Sequence, residues 1–401
     1  MIISRENVPG ENAGVVRSKV LILTSVIGGG TGTHLLSLWK HMERRGFDVE
    51  MIVEDEEAVL SKPPGKIQSY FEEGGRFRRF PLAQLTHLVR IRKYILQNQF
   101  DLLHTYFFWP IIYGRLLKLM RVVRVLVENR EDEGFDWGRF EYFLLKITRK
   151  IPDRIICVSE GVRKVVSTKE KIHPSGLTVI HNGIDLNRNM NTGKDPSLME
   201  ELSIPPGSKV VGMVGNLNRP VKGGRYFIDA VPLILKKVPV THFIIVGGGD
   251  EIPALVERTE ASGVSHAVHF VGFREDVERY YGIMDISVLT SISEGLSITL
   301  LESMSHGLPV VVTEVGGNSE VVVDGVTGYL VPPGDVPSFA EKVSYLLQSA
   351  DTRESMGMMA RERIAKNFQI EVTSSRYEGM YRSVLSTCEM RKQEGGAGGQ
   401  V

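Results

Sequence analysis

Two cations and two carboxylates stand along the chain in an order that suits removal of a group from a diphosphate. The run Val214-Gly215-Asn216-Leu217-Asn218-Arg219-Pro220-Val221-Lys222-Gly223-Gly224 sets Arg219 and Lys222 on a glycine-bounded loop ahead of a helical stretch. An arginine fork grips phosphate oxygens with paired N–H bonds, and a lysine adds a compact point charge. Together they can neutralise a diphosphate leaving group. Downstream, Ser293-Glu294-Gly295-Leu296-Ser297-Ile298-Thr299-Leu300-Leu301-Glu302 reads as a loop opening into a helix. Free N–H groups at such a helix start, near Gly295, Leu296 and Ser297, suit a second phosphate edge. Glu302 follows about two turns along and falls on roughly the same side as the loop. Both carboxylates can accept hydrogen bonds from sugar or ribose hydroxyls. The plain alternative is an exposed basic loop and two acids flanking an ordinary helix.

A second anion-binding element lies near the start. Gly28-Gly29-Gly30-Thr31-Gly32-Thr33-His34 follows a β-rich run and opens a helix, so its backbone N–H groups can face a phosphate or sugar. A dinucleotide fingerprint wants glycine at the sixth position counted from Gly28, which is Thr33 here. The acidic run Glu54 to Glu57 does lie where a ribose-binding carboxylate would follow, so an oxidoreductase remains an alternative with one mark missing.

These residues need a scaffold, and the pattern supplies one. Apolar β-rich runs alternate with helix-spaced segments: strands near 19–27, 49–53, 102–104, 122–127 and 154–158, with helices near 34–45, 82–97, 111–120 and 140–149. Such alternation implies a parallel sheet covered on both faces. The stretch 191–208 turns polar and Pro/Gly-rich, as a linker does, and the alternation restarts at 209. The expected organisation is a flexible tail over 1–18, a first Rossmann-like domain over 19–190, the linker 191–208, and a second domain over 209–371. A helix over 372–390 then returns toward the first domain, and 391–401 form a disordered tail.

Composition bounds the rest. The chain has 401 residues, 24% charged and 42% hydrophobic, which suits a two- or three-domain globular protein. It contains no apolar run of the ~18 residues a membrane span needs, and its first residues lack a secretory pattern, so a cytoplasmic location is expected. Cys157 and Cys388 lie too far apart for a metal-type spacing and read as reduced structural residues. Net charge is zero, yet residues 1–200 hold 30 Lys+Arg and 24 Asp+Glu, net +6, which leaves −6 for 201–401. Between Arg76 and Arg124 ten basic residues face Asp101 alone, a local +9. That patch attracts phosphorylated substrate, anionic lipid headgroups or nucleic acid, unless it is only a solvated helical face.

The ordered set of Gly-rich loop, Arg219-x-x-Lys222-Gly, Glu294-x7-Glu302 and Val315-Gly316-Gly317-Asn318-x-Glu320 resembles retaining glycosyltransferases of family 4. Segments Asp101-Leu-Leu-His104, Val158-Ser159-Glu160 and Ile180-His181-Asn182-Gly183-Ile184-Asp185 are also similar, so the likeness runs from about residue 19 to 386. The resemblance implies the GT-B fold: α/β, with two doubly wound Rossmann-like domains facing a central cleft. It implies transfer of a sugar from a nucleotide-sugar, UDP-linked first and GDP-linked second, to a hydroxyl of a saccharide or lipid-linked acceptor, with retention. Cell-surface polysaccharide or glycolipid synthesis would be the setting. By the same resemblance Arg219 and Lys222 hold the diphosphate, Glu294 contacts the donor sugar, Glu302 binds the ribose, and Gly272-Phe273-Arg274 holds the base. Gly29, Gly30 and Gly32 would close over the donor.

No cofactor and no catalytic metal are expected, since the chain has no Asp-x-Asp and the paired cations already meet the diphosphate. Several family members carry a sugar-contacting histidine after the strand corresponding to 122–127. This chain reads Val127-Glu128-Asn129-Arg130-Glu131-Asp132 there, so the role is not carried over. Asn129 can bond a sugar hydroxyl, Arg130 an anionic group, and His104 is a further sugar or acceptor contact unless it is structural. Peripheral contact with anionic membrane at the cytoplasmic face through the basic 76–124 region is expected, and no nucleic acid. Two other classes stay open: a nucleotide-sugar or glycan-binding protein without turnover, and a nucleotide-sugar epimerase on the same fold.

Overall fold

Long runs of Val, Ile and Leu with no alternation mark strands buried on both faces, and such strands form parallel sheets between helical layers. The computed structural model describes residues 17–25, 29–53, 67–69, 81–135, 137–186 and 193–397. The chain divides into two compact units, residues 1–181 with 370–401, and residues 182–369.

The first unit contains β1 (Ser18–Thr24), α1 (Gly29–Arg44), β2 (Phe47–Val53), β3 (Ile67–Ser69), α2 (Pro81–Asn98), β4 (Leu102–Tyr106), α3 (Phe108–Leu119), β5 (Val125–Arg130), α4 (Arg139–Ile147), β6 (Arg154–Cys157), α5 (Glu160–Glu170) and β7 (Leu177–Val179). Its seven-stranded sheet runs β3-β2-β1-β4-β5-β6-β7, and every pairing is parallel. The second unit contains α6 (Pro196–Glu201), β8 (Lys209–Val214), α7 (Gly224–Lys237), β9 (Thr241–Val246), α8 (Ile252–Ala261), β10 (Val268–Gly272), α9 (Val277–Ile283), β11 (Ile286–Leu289), α10 (Ile298–Ser305), β12 (Val310–Thr313), α11 (Asn318–Val321), β13 (Gly328–Val331), α12 (Val336–Gln348) and α13 (Ala350–Asn367). Its six-stranded parallel sheet runs β10-β9-β8-β11-β12-β13. The last helix, α14 (Ile370–Ala397), belongs to the first unit.

Helices cover both faces of each sheet. In the first unit Leu35, Leu38 and Trp39 of α1 pack with Tyr377 and Tyr381 of α14 on one face. Leu88, Ile91 and Ile95 of α2 pack with Tyr113 and Leu117 of α3 on the other. In the second unit Phe227 and Val231 of α7 meet Phe339 and Val343 of α12, and the opposite face takes Leu198 of α6 with Tyr280 and Tyr281 of α9.

Several elements differ from the sequence expectation. The supposed linker contains α6, where Asp195 caps the helix by accepting from the N–H groups of Ser197 and Leu198 at 3.0 and 3.2 Å, with Pro196 at the first position. The polar, proline-bearing composition there is capping chemistry. Helix α5 is also unanticipated; its cap is Ser159, which accepts from Val162 N–H at 3.1 Å. Residues 391–397, expected in a disordered tail, continue α14. Residues 1–16 and 398–401 lie outside the described residues, as do Glu54 to Glu57. No described helix is long and apolar enough to cross a membrane.

His104 sits at the centre of β4, fully buried, with Nδ1 2.7 Å from the Tyr381 hydroxyl. Burial holds its imidazole down to about 3. It is therefore a core residue and not the sugar or acceptor contact expected from sequence. The unfolded chain takes up a proton near 6.5 and the folded one does not, so this contribution is intact above pH 6.5 and declines as pH falls toward 3. At pH 5 the loss should reach about 2 kcal/mol. Chemical denaturation at pH 7.5 and 5 should show His104→Gln losing less stability over that interval than the parent. Equal losses would refute the assignment.

Candidate active site

In an open parallel sheet the loops diverge where strand order reverses, and the crevice beyond the strand carboxyl ends is where ligands bind. In the second unit that point lies between β8 and β11, because the chain moves outward to β9 and β10 on one side and to β12 and β13 on the other. The loop after β8 carries Arg219 and Lys222, and the loop after β11 carries Glu294. Lys222 Nζ lies 2.7 Å from Glu294 Oε1, and Ser291 Oγ donates to the same oxygen at 2.6 Å. Glu294 is 7% exposed, so these two donors take the place of water at Oε1, while the Lys222 side chain keeps 23% exposure. Neither contact uses Glu294 Oε2. Arg219 is exposed, three residues before Lys222.

Backbone and hydroxyl bonds fix this geometry. Ile292 N–H donates to the Val221 carbonyl at 2.8 Å and joins the two loops. Thr290 Oγ1 donates to Gly223 O at 2.9 Å, Thr313 Oγ1 to Ser291 O at 2.6 Å, and Asn318 Nδ2 to Thr313 O at 2.9 Å. Gly317 N–H reaches Gly295 O at 2.9 Å. Gly316 has φ +50°, and a Cβ there would run into the Glu294 carbonyl oxygen. The close approach of these turns is thus possible only with glycine at 316.

The remaining second-unit residues fall on neighbouring elements. Gly295, Leu296 and Ser297 are buried and lead directly into α10. Glu302, half-buried on α10, receives the Tyr281 hydroxyl at Oε2 across 3.2 Å. The Tyr281 ring leans on His306, whose Nδ1 lies 2.9 Å from the Glu302 carbonyl. Arg274 is exposed beyond β10, with Nε donating to the Tyr280 hydroxyl at 2.8 Å. Ser291, Thr290, Thr313 and Tyr281 escaped the sequence reading because hydroxyls near an apolar strand carry no signal of their own, and Asn318 stood in the Val315 to Glu320 motif without a role assigned to it. Among the described residues no group of three His, Cys, Asp or Glu side chains is placed to hold a metal ion.

The first unit repeats the plan, with its reversal between β1 and β4. Gly29, Gly30 and Gly32 are not a loop there; they form the first turn of α1, whose N–H groups lack partners within the helix. Gly28 lies outside the described residues. At the end of β5 the expected anion contact fails. Arg130 is fully buried, with Nε 2.9 Å from Glu170 Oε1 and Nη2 3.0 Å from Glu128 Oε2. Glu128 also takes two bonds of 2.7 Å from Arg115. Burial opposes the charge on Glu128, but the two guanidiniums outweigh it and lower its pKa. Arg130 is thus bound within the fold and not available to donor or acceptor. Asn129 is 1% exposed and accepts from the Tyr377 hydroxyl at 3.2 Å, bonding Glu131 through its amide, so it too is turned inward.

The basic region divides likewise. Arg115 is consumed in the buried cluster and Lys118 pairs with Asp153 at 2.5 Å, while Arg90, Arg92, Lys93, Arg121 and Arg124 are exposed. The side chains of Arg76, Arg78 and Arg79 lie outside the described residues.

Comparison with known proteins follows this anatomy. The model of "Glycosyltransferase Family 4" matches residues 28–188, and that of "Glycosyl transferases group 1" matches residues 208–349. The chain is 24% identical over 343 residues to UDP-Gal:alpha-D-GlcNAc-diphosphoundecaprenol alpha-1,3-galactosyltransferase of Escherichia coli, covering 80% of this chain and 88% of that one. It is 26% identical over 371 residues to N-acetyl-alpha-D-glucosaminyl L-malate synthase of Bacillus anthracis, covering 89% and 94%. Among solved structures, Anabaena HepE in complex with UDP and glucose superposes with a TM-score of 0.78 at 20% identity, covering 92% of this chain and all of that one. Sucrose-phosphate synthase from Thermosynechococcus elongatus gives 0.79 at 19%, with 92% of this chain and 100% of that one covered. The two family matches, one on each sheet and its helices, together with these folds, place the chain in glycosyltransferase family 4, as a glycosyltransferase with the GT-B fold.

Proposed function

We propose that the chain moves a sugar from a nucleotide-sugar, UDP-linked by preference and GDP-linked second, to a hydroxyl of a saccharide or lipid-linked acceptor, with the anomeric configuration retained and without a metal ion. The observation that carries this reading is the pair Lys222–Glu294 at the strand-order reversal, a cation and a carboxylate 2.7 Å apart on the two diverging loops. The E. coli relative, named for a UDP-linked galactose donor and an alpha linkage, supports the choice of donor and stereochemistry.

In this reading Lys222 keeps one N–H bond to Glu294 and directs its remaining donors to the diphosphate when donor binds. Arg219 on the same loop adds the second cation. As the bond between the anomeric carbon and the diphosphate oxygen lengthens, negative charge collects on that oxygen beside the two cations. The acceptor hydroxyl attacks the face the diphosphate vacates, and its proton leaves to the departing phosphate. Glu294 keeps Oε1 on Lys222 and Ser291 and presents Oε2 to a sugar hydroxyl, which makes it a binding group and not a nucleophile. Glu302 takes the ribose, and the open N–H groups at the first turn of α1, with Gly29, Gly30 and Gly32, suit an anion.

Lys222→Ala should lower turnover by roughly a hundredfold while weakening donor binding much less, because the charge it meets develops mainly in the transition state. Steady-state kinetics beside donor titration checks this; weaker binding with turnover intact would contradict the role. Gly316→Ala should displace the Glu294 turn and cost on the order of a hundredfold in kcat/KM, as misplacement near the chemistry does. Unchanged kinetics in that variant would show that the turn does not govern the site. Calorimetric titration with UDP, GDP, ADP and NAD in EDTA should give tightest binding to UDP. Binding of NAD alone would overturn the proposal, and donor consumed to an epimer without acceptor would replace it.

A further inference from the structure

Soluble surfaces carry scattered apolar side chains, but a contiguous stripe of large ones marks a place where something docks. Helix α4 has such a stripe. Phe140 is 64% exposed, Phe143 55% and Ile147 56%, and the spacing of three and four residues stacks them on one face. Leu145, the inward residue, is fully buried and anchors the opposite side of the helix. On a helical wheel Arg139 and Lys146 line one flank of the stripe, and Lys150 follows three residues past the helix end; all three are exposed. The single acid of the helix, Glu141, lies on the other flank, tied to the Gly138 N–H at 3.0 Å.

Helix α3 is tied to the carboxyl end of α4 by Arg115, which donates to the Leu145 carbonyl at 2.9 Å and to Thr148 Oγ1 at 2.6 Å. Its carboxyl half is exposed in the same manner: Leu116 40%, Leu119 62% and Met120 46%. Exposed Arg121 and Arg124 follow, and no acid lies between Leu116 and Arg124. Two helices of the first unit, linked through Arg115, thus expose large apolar side chains bordered by cations.

We propose that the outer faces of α4 and α3 form a docking surface for an anionic lipid bilayer, in which Phe140, Phe143 and Ile147 enter the headgroup region and Arg139, Lys146 and Lys150 meet lipid phosphates. Apolar insertion and electrostatic attraction act together on such a helix. A second copy of the chain is the competing occupant, and the test below separates the two. The surface differs from the one expected from sequence, where the basic 76–124 region as a whole was to meet the membrane. Arg115 and Lys118 of that region are occupied within the fold.

The test is co-sedimentation of the full chain with phosphatidylcholine vesicles, with and without phosphatidylglycerol, at low and high salt. The parent should bind only the vesicles containing phosphatidylglycerol and be released by salt. The double variant Phe140→Ser/Phe143→Ser should partition at least about tenfold more weakly, as loss of two buried aromatic side chains requires. Both side chains are exposed, so the variant should keep the parent's nucleotide binding and unfolding midpoint. Lys146→Glu/Lys150→Glu should weaken binding as well, and Arg90→Glu/Arg92→Glu/Lys93→Glu on α2 should leave it intact. Undiminished binding by the phenylalanine variant would overturn the proposal, as would loss of binding through the α2 variant alone. A concentration-dependent dimer that Phe143→Ser dissociates would also overturn it, in favour of a second copy of the chain.

Discussion

The second unit is organised around one buried carboxylate. Glu294 sits almost out of solvent, and a carboxylate in that position needs hydrogen-bond donors in place of the water it has lost. Lys222 and Ser291 meet it from two different segments, so the loops after β8 and β11 are fixed relative to each other by the need to satisfy a single oxygen. The requirement spreads outward. Ser291 is held by Thr313, Thr313 by Asn318, and the turn that carries Asn318 can approach only because Gly316 has no side chain. Each step is an ordinary hydrogen bond, but together they make the position of Glu294 depend on four segments.

The first unit resolves a similar problem in another way. Arg115, Glu128, Arg130 and Glu170 are all buried, and their two positive and two negative charges cancel. A cluster of this kind adds little net stability over an apolar core, yet removing one member strands the rest. It joins α3, β5 and α5 under the sheet and occupies side chains that would otherwise be free for ligands. Cys157, next to this cluster at the end of β6, is buried, and burial pushes its thiol up to about 12, so it stays protonated and unreactive.

Much of the architecture was legible in the residues, because a fully buried parallel strand and an amphipathic helix write distinct patterns. The strands around Leu21, Leu103, Leu126 and Ile244 are apolar runs of the right length, and the cations and carboxylates of the second unit stand at recognisable spacings. Short or polar elements were not legible. Helix α5 offers only three apolar side chains, Val162, Val165 and Val166, over eleven residues, and α6 hides in a polar stretch because its cap is itself polar. The larger misreading concerned Arg130, Asn129 and His104. Nothing near Arg130 reveals that Glu170, forty residues on, will hold it. Nothing near Asn129 or His104 reveals Tyr377 and Tyr381, contributed by a helix near the opposite end of the chain. Charge type and spacing are local properties, whereas burial and pairing are decided by distant segments.

That last helix bears on how the chain is made. The first unit takes its core from residues 1–181 and from α14, while all of the second unit lies between them in sequence. During synthesis the sheet of the first unit therefore leaves the ribosome with His104, Tyr106 and the inner face of α1 uncovered, and they stay so until residues 182–369 have been translated. The second unit has no such delay, since its sheet and covering helices are contiguous. The chain thus has reason to complete its later half first, with the earlier half waiting on its own terminus and dependent meanwhile on whatever shields an open apolar face in the cell.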